Sequence, residues 1–219
     1  LTMNVLLHAV ELNNKAISLQ YFEQHVEAIK HFESAIEILS KLSPVSRESR
    51  CFEESQCFIL SPSVQVPHSQ ENVFFVYRRT LRIIPNDVQG VCSQADLFLC
   101  CAVISFNMAL AYHTICMEMN STFAYNTALR LYEMSFQLMD KIAVESEFAQ
   151  QLMVAALNNQ AQIHYTLSDN PSILETSSLA QHIISALHSA EESVILSDFD
   201  LNEIKLNINS MSKHIAAPC

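Results

Sequence analysis

Cysteine and histidine are the residues of this chain whose chemistry would be easiest to recognise from their spacing. Cys51 and Cys57 are followed by His68, and together these three side chains could supply three metal ligands. However, the chain contains no C-x-x-C motif, and this spacing matches no common zinc module. We therefore expect no metal site, and we interpret these residues as ordinary loop residues.

Two histidines of the predicted helices are candidates for catalytic groups. His113 and His164 lie at similar places in two helical segments, beside Tyr112 and Tyr165. A histidine in such a place more often faces a groove or satisfies a neighbouring hydrogen bond. Since no nucleophile can be paired with a base, we expect no enzymatic activity and no cofactor. An enzyme that uses cysteine or histidine residues between positions 43 and 95 is one alternative.

The elements that position these residues are expected to be helices. Half of the 219 residues are apolar, and the chain has one glycine, Gly90. Hairpin turns and phosphate-binding loops both need the positive φ that glycine adopts easily, so we expect neither a β-rich fold nor a nucleotide site. The net charge of −11 opposes binding to nucleic acid and to anionic membranes. It favours a protein or peptide partner that is neutral or basic.

The seven cysteines are odd in number, and Cys100, Cys101 and Cys116 fall within apolar helical pattern. Reduced thiols are typical of a cytoplasmic or nuclear protein. The chain begins at Leu1 and not at a methionine, so whether a targeting sequence lies upstream stays an open question. The apolar run from 97 to 112 is short for a membrane span of about 20 residues, so we expect a buried helix and no membrane insertion.

Hydrophobic periodicity predicts an all-α chain that forms a single domain over residues 1–219. Helices are predicted near 6–19, 25–43, 93–120, 124–142, 145–168, 173–197 and 200–215. The last of these would start at a capping box, Asp200-x-x-Glu203. Residues 43–95 hold four of the six prolines and lack helical pattern, so they are predicted to be an extended insert between the first and second helix pairs. Within the insert, residues 72–84 are typical of a strand or an extended arm.

Three segments share one pattern: Asn-x-Ala, then an alanine, a large residue four positions on and another residue three positions later. The copies are Asn14-x-Ala16 with Ala28, Phe32 and Ala35; Asn107-x-Ala109 with Ala128, Tyr132 and Ser135; and Asn159-x-Ala161 with Ala180, Ile184 and Leu187. Alanine lets two helices approach closely at a crossing, and the larger residue fills the space beside it. The pattern therefore predicts helical hairpins that stack on one another. An irregular helical bundle with chance periodicity is the alternative.

This pattern resembles the tetratricopeptide repeat (TPR) family, most closely over residues 12–39. Leu12, Ala16, Leu19, Ala28, Phe32 and Ala35 stand where that motif has such residues. The other two copies depart from it, with seven extra residues between their helices and with Ser135 and Leu187 in place of the last alanine. The resemblance implies an α-solenoid of about three hairpins plus a C-terminal helix. It also implies a scaffold or adaptor that binds a peptide in a concave groove lined by the first helix of each pair.

The resemblance places the recurring asparagines on the groove. A side-chain amide offers a donor and an acceptor, so it can hold a peptide backbone whatever its sequence. A cap or a bridge within the scaffold is the alternative role. The expected groove residues are Asn14, Asn107, Asn159, Tyr21, His113 and Tyr165. The subclass that binds the C-terminal carboxylate of chaperones needs a basic residue one turn before each asparagine. Val10, Val103 and Ala155 occupy those places, so chaperone tails are not expected to bind.

The arm is both apolar and basic within an acidic chain. We expect it to pack along the chain's own helices through its apolar residues and through arginine pairs to Asp or Glu. Its expected contact residues are Phe75, Tyr77, Arg78, Arg79 and Arg82. The arm would then either regulate access to the groove or seal one side of the stack. In the second case the protein would be a structural subunit of a larger assembly, with its groove closed by its own insert.

Overall fold

The computed structural model describes residues 3–42, 57–65, 76–86, 92–142, 146–186 and 195–216. Within these ranges the chain forms seven helices and one two-stranded sheet, which confirms the helical class. The helices are α1 (Met3–Tyr21), α2 (His25–Ser40), α3 (Gln94–Met119), α4 (Thr122–Met139), α5 (Glu147–Thr166), α6 (Asn170–Ala186) and α7 (Asp198–Ala216). The strands are β1 (Phe58–Gln65) and β2 (Arg79–Pro85).

Capping residues define several helix ends. Ser93 opens α3 with a capping box, in which its side chain accepts a hydrogen bond from the Asp96 N–H while the Asp96 carboxylate accepts one from the Ser93 N–H. The same helix ends at Asn120, whose φ of 50° is the left-handed conformation of a helix stop. Ser121 then caps α4 through the N–H of Ala124.

The capping box predicted at Asp200 is wrong. The box of α7 lies one turn earlier: Ser197 Oγ accepts from the N–H of Asp200, and the Asp200 carboxylate accepts from the N–H of Ser197. The predicted helix over 173–197 also runs too far, because residues 195–197 are not helical. Ser197 can serve as an N-cap only with a non-helical backbone, so the two errors have one cause.

Contacts along the backbone divide the chain into two compact units. Unit 1 comprises residues 1–69 and 78–146, and unit 2 comprises residues 70–77 and 147–219. Residues 43–69 and 78–95 of the predicted insert belong to unit 1, and residues 70–77 belong to unit 2. The expectation of a single domain stays a prediction.

Unit 1 consists of two helical hairpins and the sheet. Helix α1 packs against α2, α3 packs against α4, and α2 packs against α3. Strand β2 lies against α1 and α3, which are the first helices of the two pairs. This is the side on which the sequence pattern predicts a groove.

The small residues of the repeat pattern lie inside unit 1, as predicted. Ala28 and Ala128 are both 0% exposed, as are Phe32 and Tyr132 four positions later. Tyr132 packs on Phe106 of α3, with ring centroids 5.6 Å apart. The other small residues of the pattern are also fully buried: Ala16, Ala35, Ala109 and Ser135.

Unit 2 contains the hairpin of α5 and α6, and α7 packs against both helices. Ala161, Ile173 and Met211, one from each helix, form a buried apolar cluster against which Tyr165 packs. Ala180 and Ile184 of the third copy are buried as well, whereas Leu187 lies outside the described residues.

The two strands form an antiparallel hairpin in which Leu60 pairs with Ile83 and Pro62 with Leu81. The predicted extended arm is confirmed over the residues of β2. Strand β1 was not predicted, because its apolar run ends at Leu60 and Pro62 follows Ser61 directly after it. Its proline is tolerated because the N–H at this position would point away from β2.

Helix α3 alone among the described helices is long and apolar enough to cross a membrane. However, 89% of its most apolar window is buried inside the structure. This burial is typical of a core helix, as the sequence predicted.

Candidate functional site: asparagine amides on an extended backbone

Asn107 on α3 binds one residue of strand β2 through both ends of its amide. Its Nδ2 donates to the carbonyl oxygen of Leu81 at 2.9 Å, and its Oδ1 accepts from the N–H of Leu81 at 2.8 Å. Asn107 and the Leu81 side chain are both 0% exposed. The amide thus satisfies a buried donor and a buried acceptor of the strand, as a neighbouring strand would.

Asn14 on α1 makes the same pair of bonds two residues further along β2. Its Nδ2 donates to the carbonyl oxygen of Ile83 at 2.8 Å, and its Oδ1 accepts from the Ile83 N–H at 3.1 Å. The spacing of two follows from the strand, because alternate residues direct their N–H and C=O groups to the same edge. One edge of β2 therefore pairs with β1 and the other with asparagines.

Asn13 connects these two asparagines. Its Nδ2 lies within bonding distance of Asn14 Oδ1 and the Leu81 carbonyl oxygen, at 3.1 and 3.3 Å. Its Oδ1 accepts from Asn107 Nδ2 at 2.9 Å. Asn13 is 0% exposed, so this link lies inside unit 1 and fixes which way the two amides face.

Burial alternates along β2 from Leu81 to Ile84, and Thr80 before them is also buried. Leu81 and Ile83 are 0% exposed, whereas Arg82 is exposed and Ile84 is 44% exposed. The amides bind the backbone of the two residues whose side chains enter the core. In this structure the surface holds an extended backbone whose Leu81 and Ile83 side chains are buried.

Unit 2 repeats the arrangement with Asn159 on α5. The N–H of Tyr77 donates to Asn159 Oδ1 at 2.9 Å, and Asn159 Nδ2 donates to the Tyr77 carbonyl oxygen at 2.9 Å. The Tyr77 hydroxyl donates to the carbonyl oxygen of Ile195 at 3.1 Å. Each asparagine that the sequence predicted to bind a peptide backbone thus binds a backbone of this chain. That all three share one concave surface stays a prediction.

A second asparagine supports the first in unit 2 as well. Asn158 Nδ2 donates to Asn159 Oδ1 at 3.1 Å, and Asn158 Oδ1 accepts from Asn207 Nδ2 on α7 at 2.9 Å. Asn13, Asn158 and Asn207 were not among the predicted site residues. The signal was present in the sequence, since an Asn-Asn doublet occurs at both 13–14 and 158–159.

The aromatic and histidine candidates lie in different surroundings. Tyr21 is 49% exposed at the end of α1 and stacks edge-on against Phe22. His113 is 0% exposed, with Nδ1 3.3 Å from the hydroxyl oxygen of Tyr132 on the paired helix. Tyr165 is half-buried against the apolar cluster of unit 2.

The contacts of the predicted arm are mainly apolar and through the backbone. Tyr77 is 0% exposed, as expected, whereas Phe75 lies outside the described residues. Arg82 Nη2 lies 3.4 Å from the hydroxyl oxygen of Ser18. Arg78 has a buried Nε without a hydrogen-bond partner among the described residues, and burial lowers the pKa of its guanidinium. Arg79 is half-buried and takes part in at least one hydrogen bond, ion pair, ring contact or electrostatic interaction.

The places where a carboxylate clamp would need cations are closed. Val10, Val103 and Ala155 are at most 2% exposed, so these positions neither carry charge nor reach solvent.

The comparisons with known proteins give no match: no protein-family model, no curated protein and no solved structure matches this chain.

Proposed function

We propose that this protein is a protein-binding scaffold or adaptor whose first helices hold an extended segment by its backbone. The hairpins would stack as a TPR-like α-solenoid, and the first helix of each pair would line the groove. The observation that carries the proposal is the double hydrogen bond from Asn14 and from Asn107 to alternate residues of β2. Strand β2 is then a built-in ligand that occupies the binding surface.

The chemistry of this surface indicates the conformation, side chains and charge of the segment that it would bind. Amides that bind only N–H and C=O groups accept any extended sequence, and specificity comes from the pockets for alternate side chains. Leu81 and Ile83 fill those pockets here, so a partner segment would carry large aliphatic residues two positions apart. The net charge of −11 favours a neutral or basic segment and disfavours nucleic acid. A reducing compartment, cytoplasm or nucleus, suits the free cysteines.

The second candidate function is a structural subunit of a larger assembly, with the groove closed by its own insert. The full burial of Leu81 and Ile83 favours it, because displacing two buried aliphatic side chains costs about 1.5–3 kcal/mol for each. The two functions differ in whether β2 exchanges with another segment. An adaptor needs that exchange, and a closed subunit excludes it.

A trans-binding experiment separates them. In the variant, residues 79–85 of the full chain are replaced by glycine and serine, and the ligand is a fluorescent peptide of residues 78–86. The adaptor predicts saturable binding to the variant, measured by fluorescence anisotropy, and much weaker binding to the wild-type chain. The peptide should also fail to bind when Asn14→Ala and Asn107→Ala are added to the variant.

The control peptide has Leu81→Asp and Ile83→Asp, which keep the backbone and remove the aliphatic side chains. Equal binding of both peptides would contradict a surface with aliphatic pockets. A variant that keeps its helical circular dichroism and binds no peptide would overturn the adaptor. A variant that loses its helical signal would instead support the closed structural subunit.

A further inference from the structure

Two thiols and a carboxylate from three parts of unit 1 meet in its interior. Cys57 immediately precedes β1, Cys92 lies between β2 and α3, and Asp96 belongs to the first turn of α3. One potential ligand atom of each lies within 4.8 Å of those of the other two. The three residues are at most 4% exposed, so this is a buried cluster and not a chance grouping of surface acids.

The cluster has nearly the dimensions of a zinc site. Tetrahedral Zn²⁺ with Zn–S bonds of about 2.3 Å places its sulfur ligands about 3.8 Å apart. The observed limit of 4.8 Å therefore requires an inward movement of about one ångström or less for each ligand. Thiolates with one carboxylate are a donor set that Zn²⁺ accepts and that Mg²⁺ and Ca²⁺ do not prefer.

Surrounding groups orient the carboxylate as they do at metal centres. Asp96 Oδ2 accepts hydrogen bonds from the backbone N–H and the hydroxyl of Ser93, both at 2.8 Å. Its Oδ1 accepts from the Cys57 N–H at 3.1 Å. Hydrogen bonds of this kind fix ligating carboxylates in place.

Two further sulfur atoms lie close to the cluster. Met3 Sδ is 3.2 Å from Cys92 Sγ. Cys100 is fully buried on α3, four residues after Asp96, so the two side chains lie on the same helix face. Of the two, the Cys100 thiol is the usual kind of zinc ligand, and it would have to move towards the cluster to take the fourth place of a tetrahedral site.

We propose that Cys57, Cys92 and Asp96 form a Zn²⁺ site that fastens the start of β1 and the segment before α3 to the first turn of α3. On binding, the two thiols lose their protons to solvent and their thiolates bond to the ion, so that the three protein ligands carry a charge of −3 against +2. The excess negative charge lies at the N-terminus of α3, where the helix dipole favours it. The site is independent of any partner in the groove.

The experiment uses the full chain, purified with a thiol-free reductant and stripped with a chelator. Titration with Zn²⁺ against a coloured chelator should give one tight site per chain. Titration with Co²⁺ should give the charge-transfer absorption of thiolate ligands. The double variant Cys57→Ser with Cys92→Ser should lose that absorption and weaken Zn²⁺ binding at least a hundredfold. Asp96→Asn should keep the absorption and weaken binding about tenfold or more.

Two matched variants test the assignment. Cys116→Ser removes a buried thiol whose described bond is to the carbonyl oxygen of His113, and it should leave binding unchanged. Cys51→Ser should also bind normally, since Cys51 is not in the proposed ligand set. Loss of binding in Cys51→Ser, or Co²⁺ binding without thiolate absorption in the wild-type chain, would overturn the proposal. A wild-type chain that binds no Zn²⁺ under reducing conditions would overturn it as well.

Discussion

Asn107 holds Leu81 by its donor and its acceptor at once, with the two hydrogen bonds at 2.9 and 2.8 Å. A side-chain amide has the same donor and acceptor groups as a peptide unit, so the asparagine replaces a residue of a neighbouring strand. This explains how a short hairpin can lie on helices without leaving one strand edge unpaired. Helix α1 contributes Asn14 to the same edge, and Asn13 joins the two.

Replacing Asn107 with alanine should release the N–H and the carbonyl of Leu81. A buried donor or acceptor left without a partner costs about 1–3 kcal/mol, so hydrogen exchange at the amide of Leu81 should become about tenfold faster or more. Asn126→Ala on the exposed surface of α4 is the matched control and should not change this rate. Unchanged exchange at Leu81 in Asn107→Ala would show that the amide does not hold the strand.

Enlarging the small residues at the helix crossings should destabilise unit 1. Ala28→Leu and Ala128→Leu each insert three carbon atoms at a position that is 0% exposed. Overpacking of this kind costs about 1–3 kcal/mol, which urea unfolding would measure. Ser34→Leu, on the exposed surface of α2, adds a similar apolar group without crowding. It should leave the midpoint nearly unchanged, and equal losses for all three variants would argue against tight crossings.

His25 should make unit 1 sensitive to acid. Burial lowers the pKa of His25 from 6.5, although the nearby carboxylates of Glu118 and Glu23 act in the opposite direction. Glu118 lies 3.9 Å away, too far for a hydrogen bond. Since the unfolded chain takes up a proton more readily than the folded chain, stability is complete above about pH 6.5 and falls as the pH drops below it.

The measurement is urea unfolding at pH 8 and at pH 5.5 for His25→Leu and for the control His182→Leu, whose histidine is exposed. The first variant should lose part of the drop in stability that the wild-type chain shows, and the control should keep it. An identical drop in all three proteins would assign the acid sensitivity to other groups.

Two substitutions near the start of α7 distinguish the capping box seen in the structure from the one expected from the sequence. Ser197→Ala removes the hydroxyl that accepts from the Asp200 N–H and should cost about 1 kcal/mol. Glu203→Ala alters the box expected from the sequence and should have little effect. Thermal unfolding followed by circular dichroism compares the two variants. A larger loss for Glu203→Ala than for Ser197→Ala would reverse the assignment.

Periodicity was enough to predict the helices, because it depends on residues close together in the chain. Spacing also identified Asn14, Asn107 and Asn159, since the same residue recurs at the same place before an alanine. Which backbone they bind was not predictable, because β2 is separated from Asn14 by 69 residues and no local pattern encodes that pairing. Strand β1 was missed for a similar reason. Its pairing with β2 compensates for a proline that lowers its local propensity.

The proposed Zn²⁺ site was also not predictable from the sequence, because its residues are far apart in the chain. Sequence spacing associated Cys57 with Cys51 and His68, whereas the structure associates it with Cys92 and Asp96 at the far end of the insert. Ligand motifs recognised from sequence consist of residues separated by a few positions. A site assembled across an insert has no such spacing, so only the fold can reveal it.

The bound strand belongs to the same chain as the asparagines that hold it, and it is far from them in sequence. This separation affects how the chain folds. Helical repeats ordinarily fold quickly, because their contacts join neighbouring segments. Here the bond from Ile83 to Asn14 spans 69 residues, and the bond from Tyr77 to Asn159 spans 82. Closing such loops costs chain entropy before the bonds can form, so the helices can assemble before the strand. During synthesis, Tyr77 leaves the ribosome well before Asn159. The hydrogen bonds between these two residues can therefore form only after α5 has been synthesised.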